Sequence, residues 1–376
     1  MLDPFKKVWK PAAWLVYLII VFEIVYMISP FALYYYSTYG PSLNFLHNWP
    51  LTAWLSGFFL PHFAVTASGI LNVLPKIGWS CIFTGLSLFL IAAGQIYYAK
   101  FTKRGAVTGG LYKVIRHPQY VAFTIMGLGL LLAWPRFTVL VMYVTMLFVY
   151  FLLAKKEEQE CVKKYGDSYT VYQARTSMFI PGRIFEKLPA LPLTGFKRGT
   201  VIFLLYLTVL MAAVSAAFGL RNYTITKLST YYSTDSATIA VAAMESAELE
   251  ETLQIALANS DVQNRLQAAM QGTHETYLNY LVPLDWYLPD LPLENIPAGI
   301  AGHHQPEDFN RDRYKILFTK ARLRTDQPVS GADIIKNTVA RVPAVVVKVD
   351  KSKSEVIGIE TPPPHVRWGD IPTPLF

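Results

Sequence analysis

The chain has 376 residues, of which 53% are hydrophobic, 14% aromatic and only 16% charged, with a mean hydropathy of +0.30. Soluble domains rarely combine so much apolar residue with so little charge, and several runs reach the roughly 20 apolar residues a spanning helix needs. The net charge of +8 accompanies no basic-aromatic patch, which excludes a nucleic-acid binder of the usual kind.

The charge is unevenly placed. Through Leu220 there are 19 Lys+Arg against 7 Asp+Glu, and from Arg221 onward 15 against 19. A basic, membrane-embedded part therefore precedes a mildly acidic, less apolar one. Only Cys81 and Cys161 are present, so no disulfide framework is expected.

In chain order, Lys6, Lys7 and Lys10 precede a first expected span, Ala12–Tyr36, which places the N-terminal side in the cytoplasm. Glu23 lies inside it, as a candidate functional carboxylate or a hydrogen-bonded structural one. Ser37 to Pro75 carries no Asp, Glu, Lys or Arg. Pro61 interrupts Leu51–Leu74, which suggests a re-entrant or interfacial helix pair. His47 and His62 in this region fit structural roles better than ligation.

Ile77–Ala99 is the next span, and Lys100, Lys103, Arg104, Lys113 and Arg116 after it mark a cytoplasmic loop. Val121–Trp134 and Phe137–Ala154 then read as a helical hairpin turning at Trp134-Pro135-Arg136, with Gly127 and Gly129 packing helix on helix. The second helix is expected to run on to about Lys164. Gly199–Leu220 is the last span. Five spans would put Arg221–Phe376 on the extracytoplasmic face.

In that last part Tyr223–Ser236 reads as a linker and Ala237–Met270 as helical. Leu281–Pro306 reads as an irregular loop, Tyr314–Arg324 and Val342–Ile359 as strands, and Thr361–Phe376 as an extended tail. His303-His304 resembles a metal pair only superficially, because adjacent side chains point apart on regular structure. No metal site is expected.

The fold class expected is thus an all-α polytopic membrane bundle of about five spans plus a smaller α+β extramembrane domain. The divisions are 1–76, an N-terminal span and uncharged segment; 77–198, a membrane core with a cytoplasmic lid; 199–220, the last span; and 221–376, the α+β domain.

The chemistry concentrates at two stretches. Thr108–Tyr120 (T-G-G-L-Y-K-V-I-R-H-P-Q-Y) is a basic segment between apolar runs, and Glu157-Glu158 follows at the far end of the hairpin. Antiparallel helices bring these ends together. Arg116 would hold a carboxylate, the glutamates an ammonium or ribose hydroxyls, and Tyr112 and Tyr120 would stack on a ring. The alternative from the residues alone is that Arg116 pairs with a Glu or a lipid phosphate and pins the topology.

T-x-G-x-Y-x-x-x-R-H-P-x-Y, followed by E-E-x-x-x-x-x-x-Y-G-x-x-Y-x-x-Y and F-I-P, resembles the isoprenylcysteine carboxyl methyltransferase and phospholipid methyltransferase superfamily across about Ile77–Gly182. The resemblance implies a membrane methyltransferase that uses S-adenosylmethionine in a pocket open to the cytoplasm. The matching cofactor residues are Arg116, His117, Tyr120, Glu157 and Glu158, with Tyr112 beside them and Tyr165 to Tyr172 as a lid. Two positions depart from the family: Ala122 stands where Gly is frequent and Cys161 where Leu is usual. Neither removes a charged contact. The implied acceptor is a lipid or other lipophilic molecule, and no catalytic base is assigned. A second expectation is a non-catalytic membrane subunit of the same fold that engages a protein partner through 221–376.

Overall fold

A computed structural model describes residues 21, 22, 25, 27–35, 40–102, 105–182, 195–269, 275–295, 299–300, 302–363 and 371–376. Most of the expected first span, including Glu23, lies outside them, as do Lys103 and Arg104. Residues 27–35 are helical.

The longest helices follow the hydropathy. After α1 (Gly40–Asn48) come α2 (Gly69–Phe101), α3 (Pro118–Ala133), α4 (Phe137–Tyr165), α5 (Asp167–Arg175) and α6 (Gly195–Lys227). Among the described residues three helices are long and apolar enough to cross a membrane: α2, α4 and α6 over Gly199–Lys227; α3 is a shorter apolar helix. At 1.5 Å per residue its 16 residues rise about 24 Å. The α3–α4 hairpin turns where expected, and Pro118 opens α3 at a position where its missing N–H costs nothing. Both α2 and α6 outrun their expected ends. Pro75 sits within the early part of α2, and α6 continues past the apolar run through Arg221 to Lys227.

Leu51–Leu74 is not a helix pair. It contains a 3-10 turn (Ala53–Ser56) and then irregular chain up to α2. Apolarity misled here because Phe63 and Ala64 are buried in a protein core of the sheet described below, not in lipid.

That sheet has six strands in sequential order: β1 (Ser229–Tyr232), β2 (Ser236–Ala240), β3 (Tyr277–Pro283), β4 (Arg313–Leu323), β5 (Thr338–Asp350) and β6 (Glu355–Glu360). Only β2 and β3 pair in parallel; the other neighbours are antiparallel. A parallel pair needs a crossover, and α7 (Ser246–Leu257) and α8 (Ser260–Ala269) lie in it. A last short helix, α9 (Ala332–Asn337), precedes β5.

Strand alternation sends side chains to two cores. Leu278, Tyr280, Leu317 and Val346 join Phe63, Trp286, Ile334 and Phe376 on one face. Leu281, Ile316, Phe318, Val345 and Val347 pack with Leu249, Leu253, Val262 and Leu266 of α7 and α8 on the other. Covering both faces explains the unbroken Val345-Val346-Val347 run. The expected linker at Tyr223–Ser236 is instead the end of α6 and strand β1. The start of Ala237–Met270 is β2 rather than helix, and Leu281–Pro306 begins inside β3. Strands β2 and β3 are buried on both faces, so they carry no apolar–polar alternation to announce them.

The chain divides into two compact units. One comprises 1–38, 80–129 and 141–210; the other comprises 39–79, 130–140 and 211–376. Helices α2, α3, α4 and α6 each contribute residues to both.

Candidate functional site

The first unit holds the residues singled out around the Arg-His-Pro segment. A 3-10 turn (Gly110–Lys113) leads into it. Gly110 has φ +59°, and a Cβ there would lie 2.3 Å from Gln95 Nε2, so both conformation and space call for glycine. Gln95 Oε1 accepts the Leu111 N–H at 3.2 Å, which ties the segment to α2. Beyond it, Arg116 N donates to Ser177 O at 2.8 Å and His117 N to Met178 O at 3.2 Å. The chain after α5 therefore runs beside the motif as a short parallel bridge, Ile115 with Ser177.

Arg116 is 8% exposed and Glu158 6%, and Arg116 Nε meets Glu158 Oε1 at 2.5 Å. Arg116 Nη1 donates to Gln173 O at 3.0 Å and, in a short contact, to Thr176 O. One guanidinium thus joins α4 to the C-terminal end of α5. His117 lies between both glutamates, Nδ1 at 3.5 Å from Glu157 Oε2 and Nε2 at 3.4 Å from Glu158 Oε1. Burial disfavours its charged form, but hydrogen bonding and charge from Glu157 and Glu158 prevail and hold its pKa above the ordinary histidine value. Its Nε2 is buried and lacks an aligned hydrogen bond; the carboxylate is near but off-axis.

Tyr120, buried on α3, donates to Glu157 Oε1 in a short hydrogen bond and stacks on the His117 ring at 5.6 Å and 7°. Tyr150 of α4 also stacks on it, at 4.6 Å. Tyr112 is buried with its hydroxyl 3.4 Å from Ala92 O, while Tyr172 of α5 donates to Tyr112 O at 2.6 Å. Glu157 stands apart, its side chain 36% exposed. All six residues expected at the site converge in one unit. Sequence reasoning missed Gln95, Tyr150 and the backbone acceptors at 173–178.

The Ala122 departure is accommodated on its neighbour. A Cβ on Gly85 of α2 would sit 2.7 Å from Ala122 O and 2.6 Å from Met126 N. The close approach of α2 and α3 is supplied by Gly85. Gly127 does the same for α3 and α4, facing Tyr143 and Met146. Cys161 lies beside Tyr169 of α5.

A second polar cluster occurs in the other unit. His62, Asp290 and His303 bring their ligand atoms within 4.8 Å of one another, the arrangement among the described residues that could hold a metal ion. His304 is not part of the cluster; His303 is joined there by residues 62 and 290. The cluster is already satisfied internally. His303 Nε2 lies 2.6 Å from Asp290 Oδ2, and Arg341 Nη2 donates to Asp290 O at 2.7 Å. Burial dominates at His62 and lowers its pKa to about 4, against the pull of Asp290. Burial would raise the pKa of Asp290, but the His303 hydrogen bond and the charges of His62 and Arg341 keep it below the usual carboxylate value. With cationic Arg136 also acting on His62 and Asp290, a divalent ion would add charge to a cluster that Asp290 already balances. We read it as a charge-balanced clasp in which Asp290 is hydrogen-bonded to His303 and faces His62 Nε2 at 4.0 Å.

Residues 63–168 match the phospholipid methyltransferase family. The matched segment contains Tyr112, Arg116, His117, Tyr120, Glu157 and Glu158, and the six-stranded sheet lies beyond it. No curated protein and no solved structure matches the chain. The similarity to that family rests on residues 63–168, and the C-terminal sheet lies outside it.

Proposed function

We propose that this chain transfers a methyl group from S-adenosylmethionine to a lipid or other lipophilic acceptor at the cytoplasmic membrane face. The observation that carries the reading is the convergence of Arg116, His117 and Tyr120 with Glu157 and Glu158 across the α3–α4 hairpin. The residues fit such a cofactor in charge and in unmet bonding. His117 Nε2 is a buried nitrogen without an aligned partner, and Glu157 is an accessible acceptor. Arg116 would hold the cofactor's carboxylate and Glu157 its ammonium or ribose hydroxyls, while Tyr120, already stacked with His117 and Tyr150, and the buried Tyr112 would shape the wall beside its adenine.

The cofactor supplies an electrophilic methyl group on a sulfonium. The protein's part is therefore to orient, to desolvate and, for an amine acceptor, to take a proton. Glu157 and His117 are the groups placed to take one. Helix α5, tied through Arg116 to Gln173 O and Thr176 O, is suited to exclude water above the site. The acceptor enters from the bilayer, as its lipophilic character requires. The basic residues that flank the site support its placement on the cytoplasmic face, and five spans would put residues 221–376 on the opposite one.

The test is calorimetric titration of S-adenosylmethionine into the purified full chain, repeated with Arg116→Ala and Glu157→Gln. Binding in the native chain that weakens at least tenfold in either variant supports the site. No binding to the native chain sinks the reading. Binding without methyl transfer to any membrane lipid extract favours the scaffold alternative, in which the sheet engages a protein partner.

A further inference from the structure

Arg221 lies near the end of α6 and is 8% exposed. Its Nη1 and Nη2 donate to Lys336 O at 3.2 Å and Ile335 O at 3.4 Å, at the C-terminal end of α9. Its Nε is buried and has no hydrogen-bond partner. Among the described residues no carboxylate forms an ion pair with it. A buried guanidinium without a counter-charge is costly and calls for an explanation. Arg341 shows the satisfied case: its donors are taken by Tyr280 Oη, Pro374 O, Asp290 O and Thr373 Oγ1.

Arg221 borders a cavity of about 500 Å³ in the sheet-containing unit, within the size range of small-molecule sites. Arg221, Arg324 and Arg341 line it against one carboxylate, Asp290, which His303 already engages. Arg221 is thus the buried cation and Arg324 an exposed one. The remaining wall is partly aromatic, including Trp54 and Phe218. Phe218 and Arg221 are one turn apart on α6, where its apolar run gives way to polar residues.

We infer that this cavity binds an amphiphilic phosphate, its oxyanion received by Arg221 and Arg324 and its apolar body by Trp54 and Phe218. Guanidinium forks match phosphate oxygens, and the aromatic wall favours a ligand that is more than the bare anion. The same head chemistry occurs in a membrane lipid and in free phosphate. This site is independent of the methyl-transfer proposal and uses none of its residues.

The experiment uses the purified full chain in detergent, with binding read from tryptophan fluorescence and calorimetry. The probes are dihexanoyl phosphatidic acid, inorganic phosphate and dihexanoyl phosphatidylcholine. Expected is binding of the phosphatidic acid, with at least tenfold loss in Arg221→Gln and in Arg324→Ala, and little binding of the choline lipid. The Arg324 change sits at an exposed position and keeps the test valid where Arg221→Gln fails to fold. Equal binding of inorganic phosphate and phosphatidic acid would overturn the amphiphile assignment in favour of a free anion. Binding of neither probe, or binding that both variants retain, overturns the site.

Discussion

Arg116 and Glu158, 42 positions apart in sequence, meet Nε to Oε1 at 2.5 Å with both side chains buried. The pair closes the open ends of the α3–α4 hairpin. Removing one member leaves the other charged and buried, which costs about 3–5 kcal/mol. Arg116→Ala and Glu158→Ala should each lower the thermal midpoint in detergent clearly, and the double variant should be much less destabilised than the sum. Additive effects in that cycle would show that the two side chains are not coupled.

Helix contact at Gly85 gives a second expectation. A methyl group there meets backbone, Met126 N at 2.6 Å and Ala122 O at 2.7 Å, so the helices must separate rather than a side chain turn aside. Gly85→Ala should cost about 1–3 kcal/mol. Gly94→Ala is the control, since nothing lies within 4 Å of a Cβ there. Equal midpoints for the two variants would contradict the packing.

The clasp at His62 predicts acid sensitivity. Burial lowers the folded pKa of His62 from 6.5 to about 4. Between those values the unfolded chain binds more protons, so stability is full above about pH 6.5 and declines as pH falls toward 4. The span corresponds to about 3 kcal/mol. Asp290, with its lowered pKa, acts in the same direction at lower pH. Denaturation midpoints measured from pH 7.5 to 4 should fall, and His62→Gln should flatten the part above pH 4.5. An unchanged slope in that variant would place the sensitivity elsewhere.

Phe376 is 1% exposed and belongs to the core against Tyr280 and Ile335. Its carbonyl accepts the His62 N–H at 3.1 Å. Phe376→Ala should cost about 3–5 kcal/mol, far more than an extended tail would. Protease resistance of the sheet region in the purified chain reports the loss.

The Arg-His-Pro and Glu-Glu segments were legible as a pair because the hairpin between them is written in hydropathy. Two apolar runs joined by Trp134-Pro135-Arg136 can bring residues 116–120 and 157–158 together in few ways. The backbone acceptors at Gln173 and Thr176 were not legible, since a carbonyl carries no residue signature. The uncharged stretch around Phe63 was misread for a related reason. Apolarity reports burial, and a sheet core and a bilayer bury the same residues.

The residue order alone therefore determined the long apolar helices and the turn of the α3–α4 hairpin, which depend on neighbours within a few turns. Tertiary structure decided that Phe63 and Phe376 share one core with β3 and β4. It decided that Gly85 lets α2 approach Ala122, and that Arg221 is buried beside a cavity with no carboxylate among the described residues in an ion pair with it. Each of these joins residues far apart in the chain. Contact, burial and counter-charge are properties of the folded arrangement, and no local pattern encodes them.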